Sequence, residues 1–265
     1  MKHLLLTLAY LVLTSIPALA AVHGSEVTYS DGDQRLKGYI AYDEALSGKR
    51  PGVLVVHEWW GHNEYARKRA RMLAELGYVA LAVDMYGDGK QAEHPEQAGQ
   101  FAAEVQKNME VGRRRFAAAM KLLKGHPMTA AEQIAAIGYC FGGGIVLQMA
   151  REGMDLKGVV SFHGSLATST PAEKGKVKAA VLVCNGGDDS FTTPEQIDEF
   201  LQEMIGAGAM VGFHSYPGAM HSFTNPEADR LAAKYSLHLA YNAEADRRSW
   251  QEMRCFLQQV FSEGR

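Results

Sequence analysis

The chain has 265 residues, 47% of them hydrophobic and 22% charged, the proportions of an ordinary globular protein. That excludes a disordered chain, a collagen-like fibre and a multi-span membrane protein. Its 27 Lys and Arg against 30 Asp and Glu leave a net charge of −3, which gives no basic excess for a nucleic-acid partner, and three cysteines make no disulfide scaffold.

Lys2 and His3 precede an apolar run from Leu4 to Ile16, followed by Pro17-Ala18-Leu19-Ala20. A basic start, a short apolar stretch and an Ala-x-Ala site read as a secretory signal cleaved after Ala20. The run is thirteen residues long, short of the roughly 18 needed to span a bilayer, and no lipid-accepting Cys follows it. The expectation is an exported chain, periplasmic or secreted, of residues 21–265, forming one domain and keeping no stable membrane association.

Ser25–Ser30 and Arg35–Tyr42 then read as two strands around a turn at Asp31-Gly32-Asp33. Val53–His57 is a continuous apolar run, the mark of a strand buried on both faces. Tyr65–Leu76 is helical and stops at Gly77; Tyr78–Asp84 is the next buried strand, and Gly87–Pro95 a loop. Glu96–Leu123 reads as a helix interrupted near Val111-Gly112. Strand Gln133–Tyr139 leads into helix Phe141–Arg151. Val159–Phe162, Ala179–Cys184 and Val211–Tyr216 are further strands, with helix Pro194–Ile205 between the last two. The final helix, Glu244–Phe261, sets Trp250, Met253, Leu257 and Phe261 on one face. Strands alternating with helices predict an α/β fold, a mostly parallel central sheet of about eight strands flanked by helices. Such sheets bind ligands at the carboxyl ends of their strands.

One such end carries Gly138-Tyr139-Cys140-Phe141-Gly142-Gly143-Gly144. It has the form of a nucleophile elbow, G-x-S-x-G, with Cys in the Ser position. The turn sets the thiol at a helix N-terminus, where free N–H groups favour a thiolate, and aims the Phe141 N–H at the same spot as half of an oxyanion hole. Two later strand ends supply an acid and a base in the expected chain order. Asp188-Asp189 follows Ala179–Cys184, and His221 follows Val211–Tyr216. His221 would take the proton from Cys140, and an Asp would fix the imidazole tautomer. Either aspartate could serve; Asp189 is favoured, because Asp188 lies nearer the Gly186-Gly187 turn.

In these residues the chain resembles the dienelactone hydrolase family of α/β-hydrolases, from about Val27 to Phe261. The matching pieces are His57-Glu58-Trp59-Trp60-Gly61, Asp84-Met85-Tyr86-Gly87, Gly138–Gly144, Ser161-Phe162-His163-Gly164, Asp189, His221-Ser222-Phe223, and Tyr241–Ala245 with Trp250 beyond. The Cys nucleophile is the most specific, since most α/β-hydrolases use Ser. The resemblance implies an α/β-hydrolase fold and hydrolysis of carboxylic esters or lactones through an acyl-enzyme. It implies that Glu58 holds the resting thiol neutral until substrate displaces it, which would shield an exported thiol from oxidants. It also implies that Trp59 supplies the second oxyanion N–H. One departure bears on the substrate. Enzymes acting on dienelactone itself place an Arg just past the Asp-x-Tyr strand end, where this chain has Gly87-Asp88-Gly89-Lys90, and Lys90 offers a point charge without the bidentate fork.

Trp60, Tyr86 and His163 are expected to wall an apolar substrate pocket together with Trp59 and Phe141. Neither a metal nor an organic cofactor is implied. His57-Glu58-x-x-x-His62 fails the HExxH spacing of a zinc site, and no Lys-Ser/Thr follows Gly142–Gly144 to make a phosphate loop. Cys184, in a buried strand, and Cys255, in a core-facing helix, read as two buried thiols rather than a bridge. The expected partner is a small ester or lactone, and the oligomeric state is left open. The competing readings are a carboxylesterase of unrelated substrate, a non-catalytic ligand-binding homologue, and a thiol redox protein; no C-x-x-C supports the last.

Overall fold

The computed structural model describes residues 21–262; the expected export signal, residues 1–20, lies outside the described residues. Eight strands form a single sheet: β1 (Val22–Asp31), β2 (Gln34–Asp43), β3 (Arg50–Val56), β4 (Val79–Val83), β5 (Thr129–Tyr139), β6 (Gly158–Phe162), β7 (Ala180–Gly186) and β8 (Val211–Tyr216). Their order is β1-β2-β4-β3-β5-β6-β7-β8. β1 and β2 are antiparallel to their neighbours, and β3 to β8 all run parallel. This is the mostly parallel sheet that the alternation of elements predicts.

Period-2 alternation divides each central strand between two cores. Leu54 and Val56 of β3 pack on one face of the sheet, and Val53 and Val55 on the other. The helices are α1 (Glu64–Glu75), α2 (Pro95–Lys107), α3 (Met109–Gly125), α4 (Phe141–Arg151), α5 (Pro194–Gly206), α6 (Ala228–Tyr235) and α7 (Ala243–Ser262). α1 and α7 cover the Val53 face with Ala66, Leu73, Met253 and Leu257. α3, α4 and α5 cover the Leu54 face with Phe116, Leu123, Ile145, Phe200 and Met204. With both faces covered, β4 and β6 are buried along their whole length and β3 along nearly all of it. Each fully buried Leu or Val contributes about 1.5–3 kcal/mol on that account. No helix among the described residues is long and apolar enough to cross a membrane.

Three local expectations need correction. The long helix after the loop breaks at Asn108, between α2 and α3, and not at Val111-Gly112. Gly112 lies inside α3, where a Cβ would come 3.0 Å from Val105 Cγ1; the glycine marks the close approach of α2, not a break. Helix α6 was not expected at all: it spans eight residues, of which only Ala228 is buried, so it has little apolar period to read. Cys255 is exposed rather than buried, while Cys184 is buried, and both are free thiols.

Candidate active site

β5 and α4 meet at Cys140 with no residue to spare, and the turn holds Cys140 at φ 52°, ψ −114°. Such a conformation costs a non-glycine residue about 1–3 kcal/mol, so its surroundings must enforce it. They do so by close backbone packing. A Cβ on Gly138 would lie 2.1 Å from Gly142 O, and one on Gly142 would lie 2.4 Å from Val56 O. Glycine at both positions lets β5, the elbow and the end of β3 close on one another.

The half-buried Cys140 Sγ lies 3.1 Å from His221 Nε2. His221 Nδ1 lies 2.8 Å from Asp189 Oδ2, and the other oxygen, Oδ1, accepts the Phe191 N–H at 2.9 Å. Since a carboxylate only accepts, Nδ1 carries the proton and Nε2 faces the sulfur. Burial works against a charged imidazole at His221. The Cys140 sulfur and the Asp189 carboxylate outweigh that and raise its pKa to about 10. The structure brings Cys140, Asp189 and His221 into one hydrogen-bonded chain. Asp188, exposed, accepts the Gly218 N–H instead.

The two residues expected to supply oxyanion N–H groups, Trp59 and Phe141, line the same cavity as Cys140. The Phe141 N–H is the first of α4, and neither it nor the Trp59 N–H donates to an acceptor among the described residues. The Trp59 N–H is oriented through its own peptide plane. Glu58 O accepts from His57 Nδ1 at 2.6 Å and from Gly61 N at 3.1 Å, and a trans peptide points its N–H the opposite way. His57 is buried and its pKa is lowered by that burial; its Nε2 accepts the Met85 N–H at 3.3 Å. Its carbonyl accepts the Gly142 N–H at 3.1 Å, tying the two donor segments together. Sequence reasoning places His57 at a strand end and in a family motif, and rejects it as a zinc ligand, but gives it no part in orienting the Trp59 peptide.

A cavity of about 690 Å³ opens over the chain, and Trp59, Cys140, Phe141 and His221 line it. The three residues expected to wall it do not. Trp60 meets Trp59 edge-on and Tyr235 at a tilt, and Tyr86 donates its hydroxyl to Trp59 O at 3.0 Å. His163 lies beneath the elbow: its Nδ1 accepts the Cys140 N–H at 3.1 Å, and its Nε2 lies 2.7 Å from Thr224 Oγ1. Ile145, Phe191, Leu237 and Leu239 line the cavity in their place. An aromatic beside an elbow can face the ligand or brace the backbone, and the residue type does not say which. Among the described residues no three His, Cys, Asp or Glu side chains gather as a metal site requires.

A sequence profile described as the Dienelactone hydrolase family matches residues 36–261. This chain belongs to that family. The solved structure called m3DLH superposes with a TM-score of 0.85 at 38% identity, covering 91% of this chain and 99% of that one. A dienelactone hydrolase-like promiscuous phosphotriesterase from metagenomic libraries gives a TM-score of 0.84 at 35% identity, with the same coverage. A Yersinia pestis protein provisionally named carboxymethylenebutenolidase is 28% identical over 244 residues, 88% of this chain and 86% of that protein. The fold is thus that of the α/β-hydrolases, and the chain is a hydrolase of the ester and lactone class.

Against the family expectation, Glu58 is not bonded to the thiol. Its Oε1 accepts from Ser222 Oγ at 2.9 Å and its Oε2 from Asn225 Nδ2 at 2.6 Å, while the sulfur faces His221. Burial raises the Glu58 pKa, and the Asn225 and Ser222 donors only partly offset it. The region after the Asp-x-Tyr strand end also takes no part in the cavity. Asp88 bonds Gln34 and Arg35, and the Lys90 ammonium sits 5.6 Å over the Phe101 ring.

Proposed function

We propose that the protein hydrolyses carboxylic esters or lactones by covalent catalysis, with Cys140 as nucleophile, His221 as base and Asp189 as the group that orients it. Cys140 Sγ attacks the acyl carbon and His221 carries the thiol proton. The carbonyl oxygen becomes an oxyanion between the Trp59 and Phe141 N–H groups, which need no reorganisation to receive it. His221 then gives its proton to the leaving oxygen, and the C–O bond breaks to leave a thioester on Cys140. Water, deprotonated by His221, attacks the thioester and restores the thiol. With Glu58 engaged by Ser222 and Asn225, the arrangement corresponds to a nucleophile already presented to its base.

The observation that carries this reading is the continuous Asp189–His221–Cys140 chain at the floor of the cavity, at 2.8 and 3.1 Å. The test is turnover of dienelactone and of a simple aryl ester by the protein and by Cys140→Ala. We expect the variant to keep its fold and lose turnover of both; full activity in it would overturn the mechanism. Cleavage of the aryl ester alone would keep the triad and remove dienelactone as substrate. The proposal extends to location: the enzyme acts outside the cytoplasm after cleavage following Ala20, and N-terminal sequencing of exported protein checks it.

A further inference from the structure

The two apolar lips of the cavity are built directly onto the proposed base and the residue that orients it. Phe191 stands two residues past Asp189 and donates its N–H to that carboxylate at 2.9 Å. Its ring centroid is 4.8 Å from the His221 ring, and the side chain is 59% exposed. Leu239 forms a parallel bridge with His221, and Ala240 N donates to His221 O at 3.2 Å. That bridge holds Leu237 and Leu239 at the cavity. A large aromatic left in water beside a catalytic base has apolar surface still to bury.

Chemistry fixes which part of a substrate lies there. The leaving oxygen must come within hydrogen-bond reach of His221 Nε2 to receive its proton, so the alcohol portion lies next to His221. We infer that Phe191, Leu237 and Leu239 form a leaving-group subsite selecting esters with an uncharged, apolar alcohol portion. The inference rests on the esterase reading above. An apolar alcohol buries the Phe191 ring and is favoured by the area removed from water. A carboxylate on the alcohol would be desolvated against a phenyl ring and two leucines, which offer it no hydrogen bond. Lys107, which also lines the cavity, is an exposed residue at the end of α2, where its ammonium stays hydrated.

Three acetate esters with the same acyl group test it at neutral pH: phenyl acetate, methyl 3-acetoxybenzoate and the 3-acetoxybenzoate anion, each normalised to its hydroxide-catalysed rate. The neutral benzoate ester should exceed the anion in kcat/KM by about tenfold or more. Phe191→Ser should reduce that ratio to about threefold or less, chiefly by raising KM for the neutral ester. Ile205→Ser removes a comparably exposed apolar side chain on α5, outside the cavity, and should keep the full ratio. Phenyl acetate turnover with no preference for the neutral ester, or a preference that Phe191→Ser leaves intact, would overturn the subsite alone. Absence of turnover with all three esters would overturn the esterase reading itself.

Discussion

Cys140, the proposed nucleophile, and Ser222, next to the proposed base, both occupy positive-φ backbone, at 52° and 58°, and opposite kinds of force hold them there. The elbow is held by sterics. Cys140 caps α4 without a side-chain hydrogen bond to the helix, and Gly138 and Gly142 sit where a Cβ would run into neighbouring carbonyls. The base loop, His221–Asn225, is held by buried polar side chains from three other places in the chain: Glu58 past β3, His163 past β6, and Tyr65 and Arg69 of α1. Glu58 takes Ser222 and Asn225. Thr224 Oγ1 meets His163 and, at 2.6 Å, the Tyr65 hydroxyl, while Thr224 O accepts from Arg69 at 2.6 Å. Arg69 is itself paired with Asp246 of α7 at 2.6 Å. A steric clamp is local and carries no charge. A polar network reaches across the molecule, and every buried member of it must be satisfied.

The largest effect should come from breaking the clamp. Gly138→Ala puts a methyl 2.1 Å from Gly142 O, a backbone atom that cannot step aside without moving the elbow. We expect a loss of about 3 kcal/mol or more, read as the shift in denaturant midpoint at constant m-value. Activity should fall below about 1% of the parent, because a displacement of an ångström at the nucleophile costs roughly a hundredfold. A variant with parental stability and turnover would show that the elbow is not sterically set.

Breaking the network should cost less and show differently. Thr224→Val removes the hydroxyl shared by His163 and Tyr65 and leaves two buried polar groups short of a partner, worth roughly 2 kcal/mol. His163 is pushed well below its usual pKa, by burial first and then by the charges of His221 and Arg69. It is therefore neutral, with Nδ1 accepting the Cys140 N–H and Nε2–H pointing at Thr224. Losing Thr224 frees that ring to turn and loosens both the nucleophile and the base. We expect kcat to fall while KM stays near the parental value, and Thr224→Ser to restore it. Loss in Thr224→Ser with activity kept in Thr224→Val would instead assign Thr224 to packing through its methyl group alone.

The same contrast explains what the sequence revealed. Steric requirements leave glycines at fixed offsets, and strand ends leave polar residues after apolar runs, so Cys140, Asp189 and His221 were legible from spacing. The sheet was legible too, because strands buried on both faces are continuous apolar runs such as Val53–Val56 and Val79–Val83. The network was not. Nothing in the spacing of Arg69, Tyr65, His163 and Thr224 says that they meet, since their contacts span 61 to 159 residues of chain. Trp60, Tyr86 and His163 were assigned to the pocket by type, and their roles follow from a hydrogen bond or a ring contact that only the fold creates. Glu58 was placed at the site by resemblance, yet its partners Ser222 and Asn225 depend on how the base loop turns.

The smallest effect sharpens the comparison most, because it separates the two kinds of restraint by pH. Burial raises the Glu58 pKa above its ordinary 4.5, so above that pH the native protein keeps a proton that the unfolded chain releases. The stability this proton provides is complete below pH 4.5 and is lost as pH rises through the folded pKa. Glu58→Gln mimics the protonated carboxyl: its carbonyl can accept from Asn225 and its amide can donate to the Ser222 hydroxyl, which is free to turn. The variant should match the parent in acid, and then gain on it by about 1.4 kcal/mol per pH unit across that window. Gly138→Ala, acting through uncharged backbone contacts, should carry the same penalty at every pH. Denaturant titrations of the three proteins between pH 4 and 8 decide the matter. A Glu58→Gln difference that is flat with pH, or that favours the parent increasingly as pH rises, would mean that the carboxylate is held ionised and that its two donors outweigh the burial.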